Sequence, residues 1–141
     1  MIRPANTLLS ILALLVALCC AVSVQADESG LMVRIAEVEV EEAALEQYLA
    51  NLKEEAKASV NLEPGVVSIF PMYEKASPTK IRILEIYASR EAYESHLKTV
   101  HFLKYKTATL EMVKSLVLVE MDAIDSETMG QIFKKAASKA P

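Results

Sequence analysis

An α+β domain with the element order β-α-β-β-α-β is predicted from three observations. Four short segments rich in branched apolar residues alternate with period two. Two longer stretches repeat their apolar residues at spacings of three and four. Proline, glycine and serine cluster only between these segments.

The domain is expected to start after a leader. Arg3 gives a positive n-region, Leu8 to Val22 an apolar stretch, and Val24-Gln25-Ala26 a small-residue cleavage site before Asp27. That is the plan of a secretory signal peptide over residues 1–26. The apolar run is shorter than the ~20 residues an anchor helix needs. An exported chain, periplasmic or secreted, with no stable membrane anchor after cleavage is therefore expected. Cleavage would remove Cys19 and Cys20, so the remaining ~115 residues could form no disulfide and depend on their core. The whole chain has 15 Lys+Arg against 19 Asp+Glu. Loss of Arg3 leaves 14 against 19, or −5, which argues against a nucleic-acid partner.

Leu31 to Val40 alternates strictly and reads as the first strand, with Leu31, Val33, Ile35, Glu37 and Glu39 on one face. Glu41 to Val60 carries the stripe Leu45, Tyr48, Leu49, Leu52, Ala56 and reads as a helix, with Glu54 and Glu55 off the stripe. Glu63-Pro64-Gly65 ends it. Val66 to Lys75 is a second strand, and Pro71 inside it requires an edge or a bulge. A turn at Ala76 to Thr79 leads to a third strand, Lys80 to Ala88, apolar on both faces and so central. Ser89 is an N-cap for a helix from Arg90 to about Lys98. After a break near Thr99-Val100 a second piece runs from His101 to about Lys114. Ser115 to Ala123 is the fourth strand. The domain is bounded at residues 27–125, and residues 126–141 form a weakly amphipathic tail.

This order is the ferredoxin-like plan, an antiparallel sheet with helices on one face. The other face would also be apolar on three strands, and a bare face of that kind calls for a homodimer or a docked tail.

The stretch Ser95 to Tyr105 holds both histidines, His96 and His101, the side chains best suited to proton chemistry near neutral pH. His101 begins a helical piece after the break and is expected to aim into a cavity between helix and sheet, as a general base or as a satisfied core histidine. His96 lies five residues earlier, about 140° away on a straight helix, so the two share a face only if the helix kinks. No metal site is expected, since the spacing is neither i,i+3 nor i,i+4 and no third ligand is evident. Glu85, an acid within an apolar strand, needs a partner. A histidine and Arg34 on the adjacent strand are both open. Tyr87 shares its face. Phe70 and Tyr73 line a pocket or sit in core. Asn61 is a helix C-cap or a ligand.

Glu63-Pro64-Gly65, then Ile83-Leu84-Glu85-Ile86-Tyr87, then the run from Glu91 to Phe102 with its H-x-x-x-x-H-F element, resemble the antibiotic biosynthesis monooxygenase domain, and within it the quinol monooxygenase subgroup. The resemblance spans about Leu31 to Asp122. It implies a dimeric ferredoxin-like α+β barrel that oxygenates a quinol or similar small aromatic with O2, using no metal, flavin or other cofactor. It also implies His101 and Glu85 as the catalytic pair, with Tyr87, Phe102 and His96 around the substrate; Phe70, Tyr73 and Asn61 are further substrate-binding candidates from the residues themselves. A non-catalytic ligand-binding dimer of the same fold and a small-molecule isomerase are the alternatives.

Overall fold

A computed structural model of the chain describes residues 30–139. The expected signal peptide and both cysteines lie outside them. The elements are β1 (Met32–Val40), α1 (Leu45–Leu62), β2 (Val66–Glu74), β3 (Ser77–Tyr87), α2 (Arg90–His96), α3 (Val100–Thr109), β4 (Val113–Met121) and α4 (Met129–Ala137). Single 3₁₀ turns precede α1 and β4. The strands form one antiparallel sheet in the order β2-β3-β1-β4. This is the ferredoxin-like arrangement, with Pro71 on an edge strand, where its missing N–H costs no ladder bond on the open side.

Several boundaries differ from the sequence expectation, each for a local reason. The first helix runs on through Asn61, because the chain is released only at Glu63, before the proline. β3 begins at Ser77 because Glu74 pairs directly with Ser77, leaving a two-residue turn. Pro78 is tolerated there because the register shifts at this point and takes it out of the regular ladder. β4 starts two residues early, at Val113, once the 3₁₀ turn has closed the third helix.

The strand period decides the core. Met32, Ala36, Val38 and Val40 of β1 and Ile81, Ile83 and Tyr87 of β3 point toward the helices and are buried. Tyr48, Leu52, Ala56 and Ser59 of α1 pack onto them. The opposite face is apolar too, and much of it is open. Phe70 is 58% exposed and Val117 53%, with Val119 and Met121 beside it. On the helix side β4 is also uncovered, since Leu116 and Leu118 stay about half exposed. Among the described residues no helix is long and apolar enough to cross a membrane.

The break after α2 is built by hydroxyl caps. Ser89 accepts from the Ala92 N–H and Thr99 from the Phe102 N–H, which starts α2 and then α3. Thr99 Oγ1 also donates to the His96 carbonyl at 2.8 Å, closing the end of α2 onto the start of α3. The turn after α1 seats against this region. A Cβ on Gly65 would lie 2.5 Å from the Ala92 Cβ, so only glycine lets the turn approach α2 so closely. The Ala88 N–H donates to the Gly65 carbonyl at 2.8 Å and holds the turn there.

Gly65→Ala should therefore destabilise the domain by about 1–3 kcal/mol through overpacking. Urea unfolding monitored by circular dichroism measures this, and an unchanged midpoint would show that the turn can back away freely.

Candidate active site

Helices α1, α2 and α3 do not fully cover β1 and β4. The gap is a cavity of about 450 Å³. Its floor is Arg34, Ala36 and Val38 of β1, Ile83 and Glu85 of β3, and Leu116 and Leu118 of β4. Its roof is Tyr48, Leu52 and Glu55 of α1, Tyr93 and His96 of α2, and Phe102, Tyr105 and Thr109 of α3. The lining is mainly apolar with a few convergent polar groups, the usual make-up of a small-molecule site.

Two polar networks meet this cavity. The first lies in the sheet. Arg34 and Glu85 are cross-strand partners, and Glu85 Oε2 accepts from Arg34 Nε at 3.1 Å and Nη2 at 2.5 Å. The Tyr87 hydroxyl donates to the same oxygen at 3.1 Å. The Arg34 guanidinium lies 4.4 Å from the Tyr93 ring centre, a cation–π contact. Burial, then the Glu85 charge, pushes the Tyr87 phenol far above its ordinary pKa, so it stays a donor. Glu85 Oε2 is thus held by an arginine and a tyrosine. Its partner is Arg34 and not a histidine, because the β1–β3 register sets the two opposite each other on one face.

The second network joins three segments. Glu63, the C-cap of α1, turns its Oε1 toward both histidines: 3.0 Å from His96 Nδ1 and 2.5 Å from His101 Nε2. The break in the helix brings the two rings together, with centres 6.5 Å apart. The five-residue spacing that separates them on a straight helix does not apply. His96 is 2% exposed and lines the cavity, with its ring 4.7 Å from Phe102 and 5.5 Å from Tyr87. His96 Nε2 stands 3.7 Å from Glu55 Oε1, and the Ser59 hydroxyl donates to that oxygen at 2.6 Å.

The two carboxyls are driven apart. Burial tends to raise Glu63, but hydrogen bonds from His101 and His96 outweigh it and hold Glu63 below the usual carboxylate range. Glu55 is raised by burial, against the smaller opposing effects of Ser59 and the histidines. Beyond these, the Tyr48 and Tyr105 hydroxyls bond each other at 2.6 Å. Burial is the first cause of the raised pKa of both.

Of the residues singled out from sequence, His96, Phe102 and Glu85 line the cavity. Tyr87 lies beneath it, on Glu85. His101 does not reach it. Its side chain is 21% exposed and bonds Glu63 from behind His96. Phe70 is on the far side of the sheet, paired with Leu84. Tyr73 is half exposed at the end of the edge strand, beside a separate shallow pocket. Asn61 is an exposed residue of the last turn of α1. These three are too far along the sheet or helix, or on the wrong face, to meet a ligand in the cavity.

Sequence reasoning missed Glu63, Glu55 and Tyr48. Glu55 had a readable signal, since it is three residues after Leu52 and four before Ser59, on the buried stripe. Glu63 also overturns the argument against a third ligand: its Oε1 and one nitrogen of each histidine all lie within 4.8 Å of one another, a donor set able to hold a cation.

Comparison with known proteins follows the same lines. The antibiotic biosynthesis monooxygenase family profile matches residues 31–108. A solved structure from Bacteroides thetaiotaomicron, assigned by name to the antibiotic biosynthesis monooxygenases, is 44% identical. The match covers 68% of this chain and 91% of that one, with a TM-score of 0.68. A structure from Lactobacillus acidophilus named as a monooxygenase is 30% identical, over 67% of this chain and 45% of that one, with a TM-score of 0.65. One from Caulobacter crescentus, at 22% identity over 69% of this chain and 92% of that one (TM-score 0.64), shares the fold. Among curated proteins none matches the chain.

Removing one side of the sheet network leaves a buried charge. Glu85→Ala should cost about 3–5 kcal/mol, whereas Arg34→Met with Glu85→Leu should recover most of that loss. Chemical denaturation of both variants tests this; equal loss in the two would mean that the pair itself stabilises the sheet.

Proposed function

Because the chain belongs to the antibiotic biosynthesis monooxygenase family, we propose that it oxygenates a quinol or similar small aromatic in the cavity under α1–α3. The observation that carries this reading is the buried His96 ring on the cavity wall, tied to Glu63 through Nδ1. With its Nδ1–H donated to the carboxylate, Nε2 is left as the acceptor nitrogen, beside Glu55, which also lines the cavity. An imidazole oriented by a carboxylate in this way is the ordinary arrangement of a general base.

His96 takes the phenolic proton from the bound quinol. The electron-rich anion passes an electron to O2 held among the apolar side chains, and the two radicals join at a ring carbon. One oxygen atom remains on the ring and the other leaves as water. The substrate supplies all four electrons, so a quinol becomes a hydroxyquinone and no external reductant is consumed. Glu63 holds the His96 tautomer and offsets the imidazolium charge. His101, behind it, is a positioning residue that keeps the Glu63 carboxylate ionised and aimed. The Tyr48–Tyr105 hydroxyl pair offers a polar contact for a second substrate oxygen.

The working form in this reading is an exported homodimer. The open apolar strip of Val117, Val119 and Met121 supports a second copy packed sheet to sheet.

Oxygen uptake with a panel of hydroquinones tests the proposal. His96→Ala should lower turnover by about 10²–10⁴-fold, the usual contribution of a general base. His101→Ala should lose less. Full activity after His96→Ala, or no uptake by the parent chain with any quinol, overturns the reading. Tight binding of an aromatic without turnover would instead mark a binding module.

A further inference from the structure

The cluster that orients His96 has a second capacity. Glu63 Oε1, His96 Nδ1 and His101 Nε2 come from the end of α1, the end of α2 and the start of α3, and converge within 4.8 Å. Two imidazoles and a carboxylate suit divalent cations of the zinc and cobalt type. Ligand atoms at ~2.0–2.1 Å from a tetrahedral ion stand about 3.3 Å apart. The present separations of 3.0 and 2.5 Å to Glu63 would have to open by less than an ångström, and the two histidine nitrogens, within 4.8 Å of each other, would have to close to the same spacing.

A second observation points the same way. A ligating histidine almost always donates its other ring N–H to a carboxylate, a backbone carbonyl or water. Glu55 Oε1, anchored by Ser59, stands 3.7 Å from His96 Nε2, so a shift of about half an ångström would make it such a partner. Among the described residues, neither Glu55 nor Glu63 pairs with a lysine or arginine. A buried carboxylate, Glu55, and a partly buried one, Glu63, thus flank the histidines without a fixed positive side chain.

We propose that Glu63, His96 and His101 bind one divalent transition cation, and that a filled site silences the base. The two states need opposite tautomers of His96. As a base, the ring carries its proton on Nδ1, toward Glu63, and keeps Nε2 free for the substrate. As a ligand it gives its Nδ1 lone pair to the cation, and the ring proton moves to Nε2, toward Glu55. The site itself stands without the oxygenase reading; only the silencing rests on it.

Cobalt(II) titrated into the purified full chain, followed by its visible d–d absorption, tests the site. One cobalt per chain is expected, displaced by zinc(II). Glu63→Gln and His101→Ala should each weaken binding by at least about ten-fold, and Glu55→Gln by about ten-fold through the outer shell. His101 is the most exposed of the three ligands, so His101→Ala disturbs packing least, and circular dichroism confirms that each variant is folded. Cobalt uptake no tighter than that of the Glu63→Gln/His101→Ala double variant overturns the site. Nitrogen-15 shifts of the His96 ring read the tautomer directly. The proton should move from Nδ1 to Nε2 when zinc is added, and a ring that keeps its tautomer overturns the silencing. Oxygen uptake that rises on zinc addition would overturn it as well. If the cation-free chain consumes no oxygen with quinols, the oxygenase reading fails while the cobalt and nitrogen-15 measurements still decide the site.

Discussion

One carboxylate oxygen, Glu63 Oε1, is shared by two imidazoles, and the arrangement around the cavity depends on it. Glu63 ends the first long helix, His96 ends the second and His101 lies in the first turn of the third. Bringing them to one point requires three local devices. Gly65 lets the turn rest against Ala92, Thr99 caps the third helix, and its hydroxyl ties back to the His96 carbonyl. Each is a small interaction. Together they hold the two pieces of a broken helix at the angle that makes the histidines neighbours.

The polar groups in this core do not compete with the apolar packing, because each finds a partner. Among the described residues no buried side-chain nitrogen or oxygen lacks one. Arg34 and Glu85 neutralise each other across adjacent strands, with Tyr87 and Tyr93 completing their contacts. The second network differs. Its carboxylates have only histidines and hydroxyls as partners, so its protons and charge are not fixed by a permanent cation. The first network is closed on itself by a permanent cation, and the second is where chemistry can happen. The cavity touches both because α2 and α3 are short, and two short helices with a kink cannot cover the last strand of the sheet.

Much of the architecture was legible in the residues. Alternation in Met32 to Val40 named a strand and its two faces correctly, and Pro71 identified an edge. The cap Ser89 sits at the start of the first helical piece, and the expected break near Thr99-Val100 is present, with Thr99 itself capping the second piece. Boundaries shifted where a local pattern met a competing one, as at Ser77, where strand pairing outweighed the turn-like composition of Ala76 to Thr79. The site was less legible. Glu85 drew notice as an acid in an apolar strand, yet its environment depends on which residue of another strand faces it. Glu55 looked like one of several charges on a solvated helix, although its spacing from Leu52 set it on the buried side.

Local residue order sets the period of each element, the faces of the strands, the break between the histidines and the family resemblance, because all of these depend on neighbours within a few positions. Tertiary structure decided which histidine meets the cavity, which carboxylate orients it and which residues are left outside. Those contacts join Glu63 to positions 33 and 38 residues away, and Arg34 to a position 51 away. A hydrogen bond at that separation is set by the packing of helices on a sheet and the register of strands. No local spacing rule carries that information, so a pair five residues apart could read as divergent and still converge on one oxygen.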